Sequence, residues 1–199
     1  DRILALQPVA IVRGNHDKVA SGLEDPDGFN IVAKSAALWT LDALTPEHRA
    51  WLAALPTGPV IVDDLIEICH GSPFDEDAYI FDELDAMRAL KASARPLCLF
   101  GHTHHPVTFE LSAASFDCIG PSAAGETILR LRDGSKYLLN PGSVGQPRDG
   151  DPRAAYAIVD EELKHVELIR LAYAVEDAQA KVVKAGLPDV LAQRLAVGR

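Results

Sequence analysis

The segment Gly101-His102-Thr103-His104 directly follows the apolar run Pro96-Leu97-Cys98-Leu99-Phe100, which is typical of a buried β-strand. Strand ends are where a sheet presents side chains to a common point, so the two imidazoles are expected at a sheet edge. On a bent loop, the two rings can serve two adjacent metal ions. Taken alone, this His-x-His pattern fits a structural pair of histidines as well as it fits a metal site.

Two other polar segments also follow apolar runs. Gly14-Asn15-His16-Asp17 follows Pro8–Val12, and His70-Gly71 follows Leu65–Cys69. The first is also typical of a tight turn, and a lone histidine after a strand is more often structural than a ligand. Imidazole nitrogen and amide oxygen nevertheless suit borderline divalent metals such as manganese, iron, zinc or nickel. Three such segments in this order, each at a predicted strand end, together predict a metal site.

The remaining patterns predict one α/β domain over residues 1–199. Helices are predicted at residues 38–44, after the N-cap Thr45 and Pro46, at residues 75–92, at residues 175–183 and after Pro188. Hairpins are predicted from residues 60–62 to 65–69, from 129–132 to 135–139 around Asp133-Gly134, and from 155–159 to 164–171.

Composition excludes several classes of function. The net charge is −10 and the sequence shows no basic face, which argues against nucleic acid as a partner. No apolar run approaches the ~18 residues of a membrane span. The three cysteines form no CxxC pair, which argues against a zinc ribbon and predicts buried, reduced thiols in a cytoplasmic protein.

The order Gly-Asn-His-Asp, His-Gly and Gly-His-Thr-His resembles the three C-terminal motifs of the calcineurin-like metallophosphoesterases. Two further segments are similar to the small bacterial phosphodiesterase branch of this family. They are residues 139–148, Leu-Asn-Pro-Gly-Ser-Val-Gly-Gln-Pro-Arg, and Ala185-Gly186-Leu187-Pro188. The resemblance implies an α/β sandwich of two mixed β-sheets between helices. It also implies hydrolysis of a small phosphate ester, with a phosphodiester favoured over other esters.

The resemblance further implies a role for each site residue. Asn15, His70 and His102 would bind one divalent metal ion and His104 a second, with a hydroxide bridging the two ions as nucleophile. His16 would protonate the leaving oxygen, and Asp17 would orient His16. The identity of the two ions, among manganese, iron, zinc and nickel, stays open.

The chain departs from the family pattern at its start. The family begins with an Asp-x-His and a Gly-Asp motif, and neither precedes Gly14. We therefore expect that the N-terminal strands of the full-length protein are missing from this sequence and that the 199-residue chain alone is inactive. The acidic pairs Asp63-Asp64 and Asp75 with Asp77 are interpreted as surface charges that do not replace the missing ligands.

Two alternatives stay open. The chain can be a non-catalytic protein-interaction module on the same scaffold, although retention of His16 and Asp17 favours an enzyme. Arg148, in the loop after Asn140-Pro141-Gly142, either contacts a phosphate or has no role in the site.

Overall fold

The structure is a computed structural model that describes residues 1–120 and 126–199. Its helices are α1 (Arg2–Ala5), α2 (Asn15–Ser21), α3 (Ile31–Ala43), α4 (Pro46–Ala53), α5 (Glu83–Ala92), α6 (Val175–Lys184) and α7 (Asp189–Gln193), with short 3-10 turns at Pro26–Gly28 and Arg194–Ala196. Among these residues, no helix is both long and apolar enough to cross a membrane.

Nine strands form two sheets within the described part of the chain. They are β1 (Val60–Ile61), β2 (Ile66–Ile68), β3 (Leu97–Leu99), β4 (Val107–Leu111), β5 (Phe116–Ile119), β6 (Glu126–Arg130), β7 (Lys136–Asn140), β8 (Ala154–Asp160) and β9 (His165–Leu171). The first sheet has the order β1-β2-β3-β7-β4-β5 and is mixed, with β2, β3 and β7 parallel. The second has the order β6-β9-β8 and is antiparallel.

Two apolar layers hold these elements together. Helix α5 packs Ala86 and Leu90 against the outer face of the first sheet, where Cys98 and Leu138 are fully buried. The other face meets the second sheet through a cluster of Ile66, Leu97, Leu129, Tyr137, Leu139, Val166 and Leu168. The predicted sandwich of two sheets with flanking helices is therefore confirmed.

Capping and turn residues in the sequence correctly predicted several boundaries of helices and strands. Thr45 caps α4 by accepting a hydrogen bond from the His48 amide at 3.2 Å, and Pro46 occupies the first helical position. Asp63 closes the β1–β2 turn by accepting from the amides of Leu65 and Ile66. The hairpin formed by β8 and β9 is also present as predicted.

Two predicted elements are wrong. Residues 8–12 are not a strand, because no strand of the described chain pairs with them, and Val9 is 93% exposed. Residues 75–82 are not helical, because Asp82 caps α5 by accepting from the Asp85 amide, so the helix begins only at Glu83.

The predicted hairpin around Asp133-Gly134 is also wrong, although a turn does form there. Strand β6 pairs with β9 in the second sheet, whereas β7 pairs with β3 and β4 in the first. The turn therefore carries the chain from one sheet to the other, which buries Leu129 and Tyr137 in the layer between the sheets.

The three cysteines are free. Cys69 and Cys98 are buried with their Sγ atoms 3.7 Å apart, as expected for reduced core thiols. Cys118 is exposed on β5, so the expectation of burial is wrong for this residue.

Candidate metal centre

The three polar segments meet at one edge of the first sheet. Strands β2 and β3 are parallel neighbours, so the residues that follow them, His70 and Gly101–His104, emerge on the same side. The third segment begins helix α2 at Asn15, with Gly14 as its N-cap. Sheet geometry thus brings together residues that lie far apart in the chain.

Asn15, His70 and His102 lie next to one another. The Asn15 Oδ1 atom accepts a hydrogen bond from His70 Nε2 at 3.1 Å, and the rings of His70 and His102 have centroids 4.7 Å apart. This packing requires glycine at position 14, because a Cβ atom there would lie 2.6 Å from His70 Cε1.

Backbone carbonyls orient the other two predicted ligands. His102 Nε2 lies 3.1 Å from the Asp77 carbonyl oxygen, and His104 Nδ1 lies 2.7 Å from the Gln146 carbonyl oxygen. Because a carbonyl only accepts, each of these ring nitrogens must carry its proton. The opposite nitrogen of each neutral ring is then left with a free lone pair, as in many metal sites.

The loop that carries His102 and His104 has an unusual backbone. Both residues adopt left-handed conformations, with φ of +61° and +60°. The fully buried Asn140 at the end of β7 fixes this loop, because its Nδ2 donates to the Gly101 carbonyl at 2.7 Å and to Thr103 Oγ1 at 3.0 Å. This side chain therefore helps to hold both histidines in place.

Burial keeps the histidines neutral. Desolvation, reinforced by the neighbouring His102, lowers the pKa of His70 to about 4. Desolvation also outweighs the hydrogen bond to Gln146 and lowers the pKa of His104 to about 4. Near neutral pH, both rings are uncharged, and one nitrogen of each ring has the electron pair that a metal ion needs.

His16 lies in the first turn of α2, with its ring tilted against Phe29 at a centroid distance of 4.7 Å. The residue is exposed, but nearby protein atoms partly desolvate the ring; this desolvation and the charge of Arg148 lower the pKa of His16, while Asp17 opposes the shift. Asp17 Oδ2 accepts from the Gly14 amide at 2.8 Å. Asp17 therefore caps the helix and acts on His16 through its charge.

Two cavities adjoin the candidate site and share two lining residues. A cavity of about 330 Å³ is lined by Asn15, His102, Phe29 and Tyr79 among others. A second, of about 460 Å³, reaches His104 and has an apolar wall formed by Val182, Leu187, Leu191 and Leu195. His16 and Arg148 line both cavities.

The types of donor atom at the candidate site are suitable for a divalent metal ion. Neutral imidazoles and an amide oxygen suit borderline metals, and two ligands bonded at about 2.1 Å to one ion lie about 3 Å apart, similar to the Asn15–His70 separation. In the residues that the structure describes, no three side chains of histidine, cysteine, aspartate or glutamate are grouped so that they could hold a metal ion. The ligand roles therefore stay predictions.

Sequence reasoning missed two contributors to the site. The exposed Tyr79 stacks on His102 with a centroid distance of 3.8 Å, and no local motif marks it. Asp77 was interpreted as a surface charge at the start of a helix. In the structure, Asp77 lines the smaller cavity, and its backbone carbonyl oxygen orients His102. Because every residue has a backbone carbonyl, the residue type at position 77 could not predict this contact.

An ionic network anchors the loop that carries Asp77. The Arg13 guanidinium donates to both carboxylate oxygens of Glu76 at 3.0 Å. The buried Lys18 ammonium bonds to Asp77 and lies 2.8 Å from Glu24. Burial alone would lower the pKa of Lys18, but these carboxylates outweigh it and raise the pKa to about 12.

Replacing Glu76 by glutamine is expected to destabilise the protein by roughly 1–3 kcal/mol near neutral pH, because the charge-assisted pair with Arg13 is lost. The hydrogen bond from Arg13 holds the pKa of Glu76 below its ordinary value. Its contribution is therefore present above the unfolded-state pKa and disappears as pH falls through the lower folded-state pKa. Urea unfolding of wild type and variant should show a difference that shrinks between about pH 7 and pH 3.

The matched control is Glu162→Gln in the exposed β8–β9 turn, which should leave the free energy of unfolding nearly unchanged. A Glu76→Gln penalty that stays constant down to pH 3 would contradict the electrostatic origin of the effect.

Comparisons with known proteins identify the family to which this two-sheet sandwich belongs. Residues 1–164 match the model of the calcineurin-like phosphoesterase superfamily domain. The chain therefore belongs to this superfamily, whose general activity is metal-dependent hydrolysis of phosphate esters.

Individual relatives support the assignment. The chain is 34% identical over 196 residues to the uncharacterized protein MJ0912 of Methanocaldococcus jannaschii, covering 94% of this chain and 75% of that protein. It is similar to the crystal structure of a metallophosphoesterase from Sphaerobacter thermophilus, with a TM-score of 0.80, 38% identity and coverage of 94% and 76%. The hypothetical protein PH1004 of Pyrococcus horikoshii shares the fold, with a TM-score of 0.72, 19% identity and coverage of 96% and 73%.

Proposed function

We propose that the protein hydrolyses phosphodiesters with the help of divalent metal ions. In this proposal, Asn15, His70 and His102 bind one ion, His104 binds a second, and His16 is the general acid. The observation that carries it is the 3.1 Å approach of Asn15 Oδ1 to His70 Nε2 beside the ring of His102. These are the residues to which the resemblance of the three motifs assigns ligand roles.

The ions, when bound, would supply Lewis-acid chemistry by drawing charge from the phosphate oxygens and activating water. The protein's contribution is to hold the ligands in one tautomer. The carbonyls of Asp77 and Gln146 accept from His102 and His104, so the free nitrogen of each ring is directed away from these contacts. Low pKa values keep His70 and His104 ready to bind without prior loss of a proton.

His16 would donate a proton to the leaving oxygen of the ester. Partial desolvation and Arg148 lower the pKa of the free ring, which makes its protonated form a stronger acid. A bound phosphate anion would raise this pKa again, because an opposite charge favours the protonated ring. Phe29 packs against the imidazole and limits its orientations. Asp17 adds negative charge nearby and favours the protonated form.

The two cavities support a diester over a monoester. A diester has two substituents on phosphorus, and His16 and Arg148 lie where two separate spaces meet. One space offers the aromatic rings of Phe29 and Tyr79, and the other offers an apolar wall that includes Leu191 and Leu195. Each substituent would then occupy its own cavity.

Full-length protein supplied with manganese is expected to hydrolyse bis(para-nitrophenyl) phosphate faster than para-nitrophenyl phosphate. Chelation with EDTA should abolish turnover, and added manganese should restore it, because the ions provide the Lewis acid. Release of nitrophenolate measures both reactions. Turnover that survives exhaustive chelation, or a clear preference for the monoester, would contradict the proposal. Bound metal without any turnover would favour the non-catalytic interaction module.

A further inference from the structure

Arg148 is a half-buried cation with incomplete partners. It lies in the loop after β7, and its Nη2 donates to Gln146 Oε1 at 3.0 Å. Its Nε is buried and has no hydrogen-bond partner. A buried donor without a partner costs free energy, and the one hydrogen bond from Nη2 to a neutral amide leaves the guanidinium incompletely paired.

Other arginines of the described chain are paired differently. Arg13 pairs with Glu76, Arg153 with Asp151 and Arg170 with Asp149, each through a carboxylate. Arg148 instead contacts a neutral amide. Burial and, after it, the positive charge of Arg194 lower the pKa of Arg148, so its surroundings disfavour the cation that it carries. An anion placed beside it would relieve this cost.

The position of Arg148 determines which anion it can meet. With His16, it lines both cavities, and its charge acts on His16, His102 and His104. Glu24, Asp25 and Asp77 also line the first cavity, and Lys18 pairs with two of these carboxylates, Glu24 and Asp77. An anion that enters between the cavities therefore meets Arg148 next to neutral imidazoles.

We propose that Arg148 binds the phosphoryl oxygens directly, through a two-pronged guanidinium contact that does not depend on bound metal. The inference rests on the proposed function for the identity of the anion as a phosphate ester. The guanidinium matches two phosphate oxygens at once, which a lysine ammonium does not. Arg148 would thus position the ester between the two cavities, beside His16.

The test uses phosphorus NMR and calorimetry to measure the binding of inorganic phosphate to the full-length, metal-free protein in EDTA. Arg148→Met should weaken binding about 10-fold or more, because a charge-assisted contact is lost. Arg148→Lys should lie between wild type and Arg148→Met. Arg153→Met is the matched control, since that arginine is already paired with Asp151 in the same loop region, and it should bind phosphate like wild type.

A second variant leaves Arg148 itself unchanged. Gln146→Glu would place a carboxylate where the amide now accepts from Arg148, so the new internal pair should compete with phosphate and weaken binding. Wild-type protein that binds no phosphate, or equal binding by wild type, Arg148→Met and Gln146→Glu, would overturn the proposal. Arg148-dependent phosphate binding in a protein that never hydrolyses esters would sustain it while the proposed function fails.

Discussion

Replacing His102 by alanine is expected to remove metal from the full-length protein and to lower kcat/KM for a phosphodiester by about 10³-fold or more, because a bound ion supplies several kcal/mol to the transition state. His102 is buried between His70, Tyr79 and the Asp77 carbonyl, so no neighbouring group can take its place without rearrangement. Metal content by mass spectrometry and the rate of nitrophenolate release together measure the effect.

The matched control for this variant is His105→Ala. His105 is exposed in the same loop and lines a separate cavity with Phe81 and Val107, so its loss should leave metal content and rate near wild type. His102 has a left-handed backbone conformation, which alanine adopts less readily than asparagine. His102→Asn therefore serves as a second variant at this position. Full metal content in a folded His102→Ala protein would contradict the ligand role.

Replacing His16 by alanine is expected to lower kcat by about 10²–10⁴-fold while the metal content stays at the wild-type level, because only general-acid catalysis is lost. The ring of His16 contacts Phe29 and the cavity, and the predicted ligands Asn15 and His70 contact each other without it. The full loss is expected for a diester with an alkyl leaving group, and the loss should be smaller for bis(para-nitrophenyl) phosphate, because its acidic phenol needs little protonation.

Comparison of the two histidines separates their roles. If His16→Ala loses as much metal as His102→Ala, the assignment of His16 as an acid is wrong. If both alanine variants keep metal and activity, the site does not carry the reaction.

The position of the site could be predicted from sequence because it depends on a rule of sheet geometry. His70 and His102 each follow a short apolar run, and the two runs form parallel neighbours. Parallel neighbours end at the same edge, so the rings meet without any information about distant contacts. Asn15 joins them because glycine at position 14 allows close approach to His70.

The failures share a different cause, because each depended on a partner that local sequence does not reveal. An apolar run such as residues 8–12 becomes a strand only beside another strand, and none in the described chain pairs with it. Asp133-Gly134 forms a turn as its chemistry predicts, but burial of Leu129 and Tyr137 between the sheets decides which strands pair. The part played by Asp77 is that of a carbonyl oxygen, which every residue possesses.

The conformation of the histidine loop has a consequence for protein engineering. His102 and His104 both have positive φ, and a non-glycine residue in this region costs about 1–2 kcal/mol. Transplanting the four residues Gly101–His104 onto an ordinary strand end of another scaffold would therefore let the backbone relax and turn the imidazoles away. A successful graft would need to carry over Asn140 as well, since its side chain ties down Gly101 and Thr103 from a neighbouring strand. The smallest transferable unit is thus two adjacent parallel strands with their loops.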